Sequence, residues 1–239
     1  MLAYQEWREL FLAGKLNDRQ SQFFLARPAE QLFDLSRDPH EVNDLSSKPK
    51  FQDILLELRL KLKKHLISMN DLSFFPESYM IENGIKDPQA FGNRKSSEIK
   101  ILIEIADLAL APFDKVQPKL KDFLLSESEW QRYWACMVCS QFGDKAKRIT
   151  PVLSLLSEDP NLMVRMRAVE ALALVSGRDP ISRLVKISNL STSRVEVLLT
   201  MNSIAFFRDH HGYKLNPESF SITAPDGEFG RRLDYFKNR

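Results

Sequence analysis

The sequence predicts a mainly α chain: a short strand, a turn and a long helix, followed by a stack of repeated helical pairs. Three observations predict it. Glycine is scarce, with eight residues in 239, and runs of β-branched or aromatic residues are few, which favours helix. Phe51, Ile54, Leu55, Leu58, Leu62, Leu66 and Met69 recur at three- and four-residue steps, the spacing of one helix face. Beyond Ser97, similar segments return about every 33 residues, the mark of stacked helical units that bury a shared core.

Taken in order, Leu2 to Ala13 reads as a helix, and Gly14 suits its C′ stop. Asn17 suits the N-cap of a second, short helix reaching Phe24. Arg27-Pro28 then leads into a strand expected at about 31–35, where Leu32, Phe33 and Leu35 are apolar. Asp38-Pro39 ends it, because proline donates no hydrogen bond and restrains the residue before it. No partner strand is evident, and a lone strand leaves backbone groups unpaired. The long helix is expected at about 51–69. Glu57 and Lys61 pair at i, i+4, and Arg59, Lys61, Lys63, Lys64 and His65 crowd its C-terminal half, where cations suit the helix dipole. That basic run has the charge to hold a sulfated sugar, but a solvated face is the commoner explanation. Asn70 to Ser96 reads as a connector, punctuated by Gly84, Pro88 and Gly92, with Phe74 and Phe75 as anchors to the core and a boundary near 88–97.

The repeats are expected over 97–209. Three segments align, starting at Ser126, Asp159 and Ser193. Asp159-Pro160…Val164-Arg165…Ala168…Ala171-Leu172 matches the HEAT-type pattern, with small residues that let helices approach and a clean helix start at Asp-Pro. Gly143 and Gly177 close units, and Val197 and Thr200 stand where the middle repeat has Arg165 and Ala168. The tail, 210–239, loses the repeat. Asn216-Pro217, Pro225-Asp226-Gly227 and Gly230 mark loops, and Arg231 to Lys237 a last short helix that caps the stack or folds back on the long helix.

The stretch Arg27 to Leu45 resembles the closing segment of the sulfatase family, roughly Pro-x-Glu-x-Leu-Tyr-Asp-Leu-x-x-Asp-Pro-x-Glu-x-x-Asn-Leu. Pro28, Glu30, Leu32, Asp34, Leu35, Asp38, Pro39, Glu41 and Leu45 match in register, with Phe33 for tyrosine and Asp44 for asparagine. Ala13-Gly14-Lys15-Leu16-Asn17…Gln20…Phe23-Phe24 is similar to what precedes that strand in one bacterial subgroup. Asp71-Leu72-Ser73-Phe74-Phe75-Pro76-Glu77 resembles its Asp-x-Gly-Phe-Leu-Pro-Glu step, with Ser73 for glycine. The order of closing strand, long helix and HEAT-like repeats also occurs there. The resemblance (arylsulfatase or N-sulfoglucosamine sulfohydrolase-like) covers the small C-terminal subdomain, residues 1–90, and not the catalytic domain.

The resemblance implies a sulfuric ester hydrolase, built around a nucleophile from Cys/Ser-x-Pro-x-Arg and calcium held by acidic and amide ligands, which polarises the sulfate. This sequence has neither: Cys139-Ser140-Gln141-Phe142-Gly143 lacks both the proline and the arginine. The expectation is a truncated, non-catalytic C-terminal portion, inactive alone, that supports an absent catalytic domain. No residue is assigned a catalytic, cofactor-binding or metal-binding role, and no cofactor is expected in this chain. Candidate partners are the catalytic domain of a full-length protein and a protein on the repeat surface. The alternative is a stand-alone HEAT-like module for protein–protein interaction.

Composition trims the remaining classes. A net charge of +2 makes no electrostatic case for nucleic acid or an acidic membrane. Two cysteines make no disulfide framework, and no run of ~18 apolar residues would span a bilayer. The start, Met1 to Arg8, lacks a signal peptide's basic and apolar regions, whereas intact family members are usually exported; localisation is left open. Cys136 and Cys139 share a helix face but lack two further ligands, so core thiols are the better reading. His210-His211 reads as a surface turn rather than a metal pair, and His40 takes no role. Trp130, Tyr133 and Trp134 beside Arg132 suit a helix-pair interface more than a sugar platform. Asp34, Asp38 and Glu41 read as turn and cap acceptors rather than a weak calcium site.

Overall fold

Helix formation dominates the chain, as the scarcity of glycine predicts. The computed structural model describes residues 2–221 and 227–238. It divides into two compact units, Met1–Lys64 and His65–Arg239, and among the described residues there is no strand.

In the first unit, α1 (Leu2–Leu12) ends at Gly14, whose φ of 66° is left-handed and suits a residue without a Cβ. The short α2 (Asp18–Ser21) carries a capping box: the Asn17 side chain accepts from the Gln20 amide and the Gln20 side chain from the Asn17 amide, both at 3.0 Å. Trp7, Phe11, Phe23 and Phe24 gather into one ring cluster, with Phe11 stacked on Phe24 at 4.7 Å. Leu55 is nevertheless the one buried apolar residue among those described here.

The strand expected at 31–35 does not form. Gln31 to Asp34 have no regular structure and Leu35 begins a turn. The Leu32 amide donates to the Asp44 carboxylate at 3.0 Å, and its carbonyl accepts from the Leu45 amide at 2.8 Å. A ladder needs a second extended chain, and a turn that satisfies the same groups takes its place. A 3-10 turn (Pro49–Phe51) then opens α3 (Gln52–Ser68), within a residue or so of the predicted long helix.

The connector expected over 70–96 is largely helical. A 3-10 turn (Leu72–Phe74) buries Phe74, α4 (Glu77–Asn83) follows, and α5 (Pro88–Asp107) crosses the whole of 88–97. Pro88 is a helix start here, at N1 with the Asp87 side chain accepting from the Ala90 amide at 2.9 Å. Gly92 is inside the helix. A Cβ there would lie 3.2 Å from the Asn70 Cβ, so the glycine permits close packing.

The second unit continues with α6 (Phe113–Leu124), α7 (Glu129–Phe142), α8 (Thr150–Leu156), α9 (Leu162–Ser176), α10 (Ile181–Leu190), α11 (Arg194–His211) and α12 (Gly227–Lys237). Helices near in sequence pack as neighbours, α7 on α9, α8 on α9 and α10 on α11. Helix α9 is buried on every side, through Met163, Val164, Met166, Ala168, Val169, Ala171, Leu172, Ala173 and Val175, as befits an element with helices all round. Phe229, Leu233 and Phe236 of α12 join the same core. Gly230, expected in a loop, lies within α12, and the helix expected from Arg231 begins four residues earlier. The turn expected at Pro225-Asp226 lies outside the described residues.

Candidate functional site

The matched residues of 27–45 build a hydrogen-bonded clasp. Asp38 accepts from the amides of Val42 at 2.9 Å and Asn43 at 2.7 Å. Those donors, the Asn43 amide first, hold its carboxyl below the usual range. Asp34 accepts from the Ser36 hydroxyl at 2.6 Å and is lowered by it. Burial alone would raise Asp44, but the amides of Leu32 and Ser46 outweigh it and the net shift is downward. Glu30 closes the clasp on α3: both its oxygens meet the Arg59 guanidinium, Oε2 receiving Nε at 3.1 Å and Oε1 receiving Nη2. Glu41 has a positive φ of 53° in the middle of the turn. The carboxylates of Asp34, Asp38 and Asp44 are therefore spent on local donors.

The other residues singled out by sequence fall into the second unit's packing. Cys136 and Cys139 are fully buried. Burial pushes the Cys139 thiol up to about 12, and burial, then the neighbouring Cys139, raises Cys136 well above the ordinary thiol value. His210 and His211 occupy the last turn of α11, where the sequence suggested a surface turn, and both rings pack against Phe206. Burial, then the charge of His210, lowers His211. Trp130 and Tyr133 are core residues, and the Trp134 indole donates to the Phe74 carbonyl at 2.7 Å. Tyr133 also meets Arg167, whose Nη2 donates to the phenol oxygen at 2.8 Å and whose Nη1 donates to Glu170 at 2.7 Å. Among the described residues no group of three or more His, Cys, Asp or Glu is arranged to hold a metal, and no helix is long and apolar enough to cross a membrane.

One concavity stands apart from these. A groove of about 580 Å³ is lined by Glu77 of α4, by Val195, Leu198, Leu199 and Asn202 of α11, and by Glu228, Arg231, Arg232 and Tyr235 of α12. Both long walls use the i, i+3, i+4, i+7 spacing of a single helix face. The α11 wall is mostly apolar and the α12 wall polar. Arg232 donates through Nη2 to the Asn202 side chain, and Arg231 lies 3.9 Å from Glu228. Tyr235 donates to Asp209, and Arg208 stacks 4.7 Å over its ring. Sequence reasoning gave this face no role. The signal was the amphipathic split of α12, with Phe229, Leu233 and Phe236 on the other side.

Comparison with known proteins gives one partial likeness. The chain is 41% identical over 78 residues, 32% of its length, to the Ulvan-active sulfatase of Formosa agariphila, and that stretch makes up 13% of the relative. This chain thus spans a small part of the relative's length. No protein-family model and no solved structure matches it. Part of the chain is therefore related to a sulfatase.

Proposed function

We propose that this chain is the C-terminal, non-catalytic portion of a sulfatase-family protein: the closing subdomain, then a HEAT-like helical extension over 97–209. Its role is to buttress a catalytic domain that this chain does not contain. The observation that carries the reading is the partial likeness to a sulfatase, 41% over 78 residues. Glu30, Asp34, Asp38 and Leu45, which fit the closing-segment pattern of the sequence analysis, are tied into one clasp. The first unit is also nearly coreless, with apolar side chains of α3 left facing solvent, as expected of a subdomain that completes its core on a larger neighbour.

The test begins with the DNA preceding the Met1 codon, read in all frames. A Cys/Ser-x-Pro-x-Arg segment upstream supports the proposal, and unrelated sequence overturns it. Aryl sulfate turnover by the purified chain is expected at background, and robust turnover would refute its non-catalytic role.

A second reading is a free-standing HEAT-like interaction module. It is favoured by the continuous core of the second unit, where buried residues run from Phe74 to Phe236. Unrelated upstream DNA would leave this reading in place.

A further inference from the structure

We propose that the groove between α11 and α12 is a binding site for an acidic saccharide, one that carries a sulfate ester or a carboxylate on a sugar ring. The choice of a sugar rests on the sulfatase relationship. The choice of an anion rests on the groove itself.

Its volume, about 580 Å³, falls in the ordinary range for small-molecule sites, roughly 300–1,000 Å³. Two arginines, Arg231 and Arg232, line the α12 wall. A guanidinium presents paired N–H donors whose spacing matches the oxygens of a sulfate or carboxylate. Among the described residues neither is held by a close carboxylate: Arg232 is steadied by the neutral amide of Asn202, and the Arg231–Glu228 pair is loose at 3.9 Å and well exposed. Such a pair contributes little, so an arriving oxyanion displaces it at small cost.

The remaining lining suits the neutral part of a sugar. Glu77, Glu228 and Asn202 offer acceptors for hydroxyl groups. Leu198 and Leu199 form an apolar floor for the C–H face of a ring. Tyr235 is held at the edge, its hydroxyl committed to Asp209 and its ring backed by Arg208, so its position is fixed before any ligand arrives. A simple anion hole would need neither the floor nor the acidic acceptors.

The test is an isothermal titration of the full chain with four probes: a sulfated disaccharide, a uronic acid disaccharide, a neutral disaccharide and inorganic sulfate. At least one acidic disaccharide should bind, and the neutral sugar should be about tenfold weaker or worse, as expected from loss of a charge-assisted bidentate contact. The two acidic arms tell which oxyanion is preferred. Arg231→Ala and Arg232→Gln should each weaken acidic binding, and Leu198→Trp, which fills the floor, should weaken it without a change of charge. Lys100→Ala, an exposed charge loss elsewhere, should leave it unchanged. No binding by either acidic disaccharide, or equal binding by the arginine variants, overturns the proposal. Equal binding of sulfate alone and of the sugars overturns the saccharide assignment. Helix content by circular dichroism excludes a folding defect, and two charge variants flanked by one steric variant keep the result readable if either fails to fold. This outcome is separate from the upstream DNA: unrelated DNA refutes the reading as a portion of a longer sulfatase, and a silent titration refutes only the groove.

Discussion

Arg132 of α7 grips Asp159 ahead of α9 with two parallel bonds, Nε to Oδ2 at 2.8 Å and Nη2 to Oδ1 at 3.1 Å. The same guanidinium donates through Nη1 to the carbonyls of Ser126 and Glu127, both at 2.8 Å. Asp159 in turn accepts from the Asn161 amide at 2.9 Å, while its own carbonyl accepts from Arg165. The corresponding arginines of the first two aligned segments, Arg132 and Arg165, are thus tied to the same turn. Because the Arg132 and Asp159 side chains are largely buried, at 13% and 4% exposed, removing one partner strands a charge. Arg132→Ala should destabilise the second unit by about 3 kcal/mol or more, read as a lower urea midpoint by far-ultraviolet circular dichroism. The paired change Arg132→Met with Asp159→Leu should cost less than the sum of the single changes. A purely additive result would show that the two side chains do not act as a pair.

The Leu32–Asp44 contact sets a pH dependence in the clasp. Asp38 and Asp44 both have carboxyls lowered by backbone donors. A lowered folded value means their contribution is present above the unfolded value, about 3.9, and is lost as pH falls through the folded one. Amide exchange at Leu32, Val42 and Asn43 should therefore accelerate as pH drops below about 4, beyond the intrinsic rate of an open chain. Asp44→Asn keeps the acceptor oxygen and should remove its own share of the pH dependence while the Leu32 amide stays protected. Asp44→Ala should expose that amide at every pH. Unchanged protection in the alanine variant would sink the assignment.

These contacts show what could be read from residues alone. The stripe from Phe51 to Met69 was legible because helix periodicity is a local property, and α3 starts and stops close to prediction. Leu32, Phe33 and Leu35 look like a strand for the same local reason, yet a strand exists only with a partner, and that is decided elsewhere in the chain. Gly84, Pro88 and Gly92 read as breakers. In the fold Pro88 begins α5 and Gly92 makes room for Asn70, so the punctuation was right in kind and wrong in place. The groove was not legible. The mostly apolar face of α11 and the polar face of α12 are visible separately, but no spacing says that they meet.

Burial of the cysteines makes them poor nucleophiles. Because the Cys139 thiol is pushed up to about 12, it stays protonated at neutral pH, and only the thiolate reacts. Cys136 and Cys139 should both resist iodoacetamide in the native chain at pH 8 and both react once it is unfolded in urea. A raised folded value also has a sign: the neutral thiol's contribution is complete below the unfolded value, about 8.5, and is progressively lost as pH rises toward the folded one. Replacing Cys139 with alanine should flatten part of the decline in stability above pH 9. Prompt native labelling at either position would show that the core opens far more readily than its packing implies.

The face of α3 gives the sharpest test of the supporting role. Ile54, Leu58 and Leu62 follow one another at i, i+4 and are 48%, 46% and 57% exposed. Exposed leucines singly need no explanation, but a continuous stripe on the longest helix of a nearly coreless unit does. If the stripe is a docking face for a catalytic domain, Leu58→Glu should change the chain's own stability by no more than about 0.5 kcal/mol, the usual scale for a surface substitution. It should also improve solubility and, where the preceding DNA encodes a sulfatase domain, abolish co-purification with it. Glu57 already pairs with Lys61 beside it, Oε1 to Nζ at 2.6 Å, so the Lys61→Gln variant, which changes the charge by the same one unit, serves as a control for charge alone and should leave docking intact. A large loss of stability in Leu58→Glu would mean that the residue belongs to the chain's own core, and the buttress proposal would lose its surface.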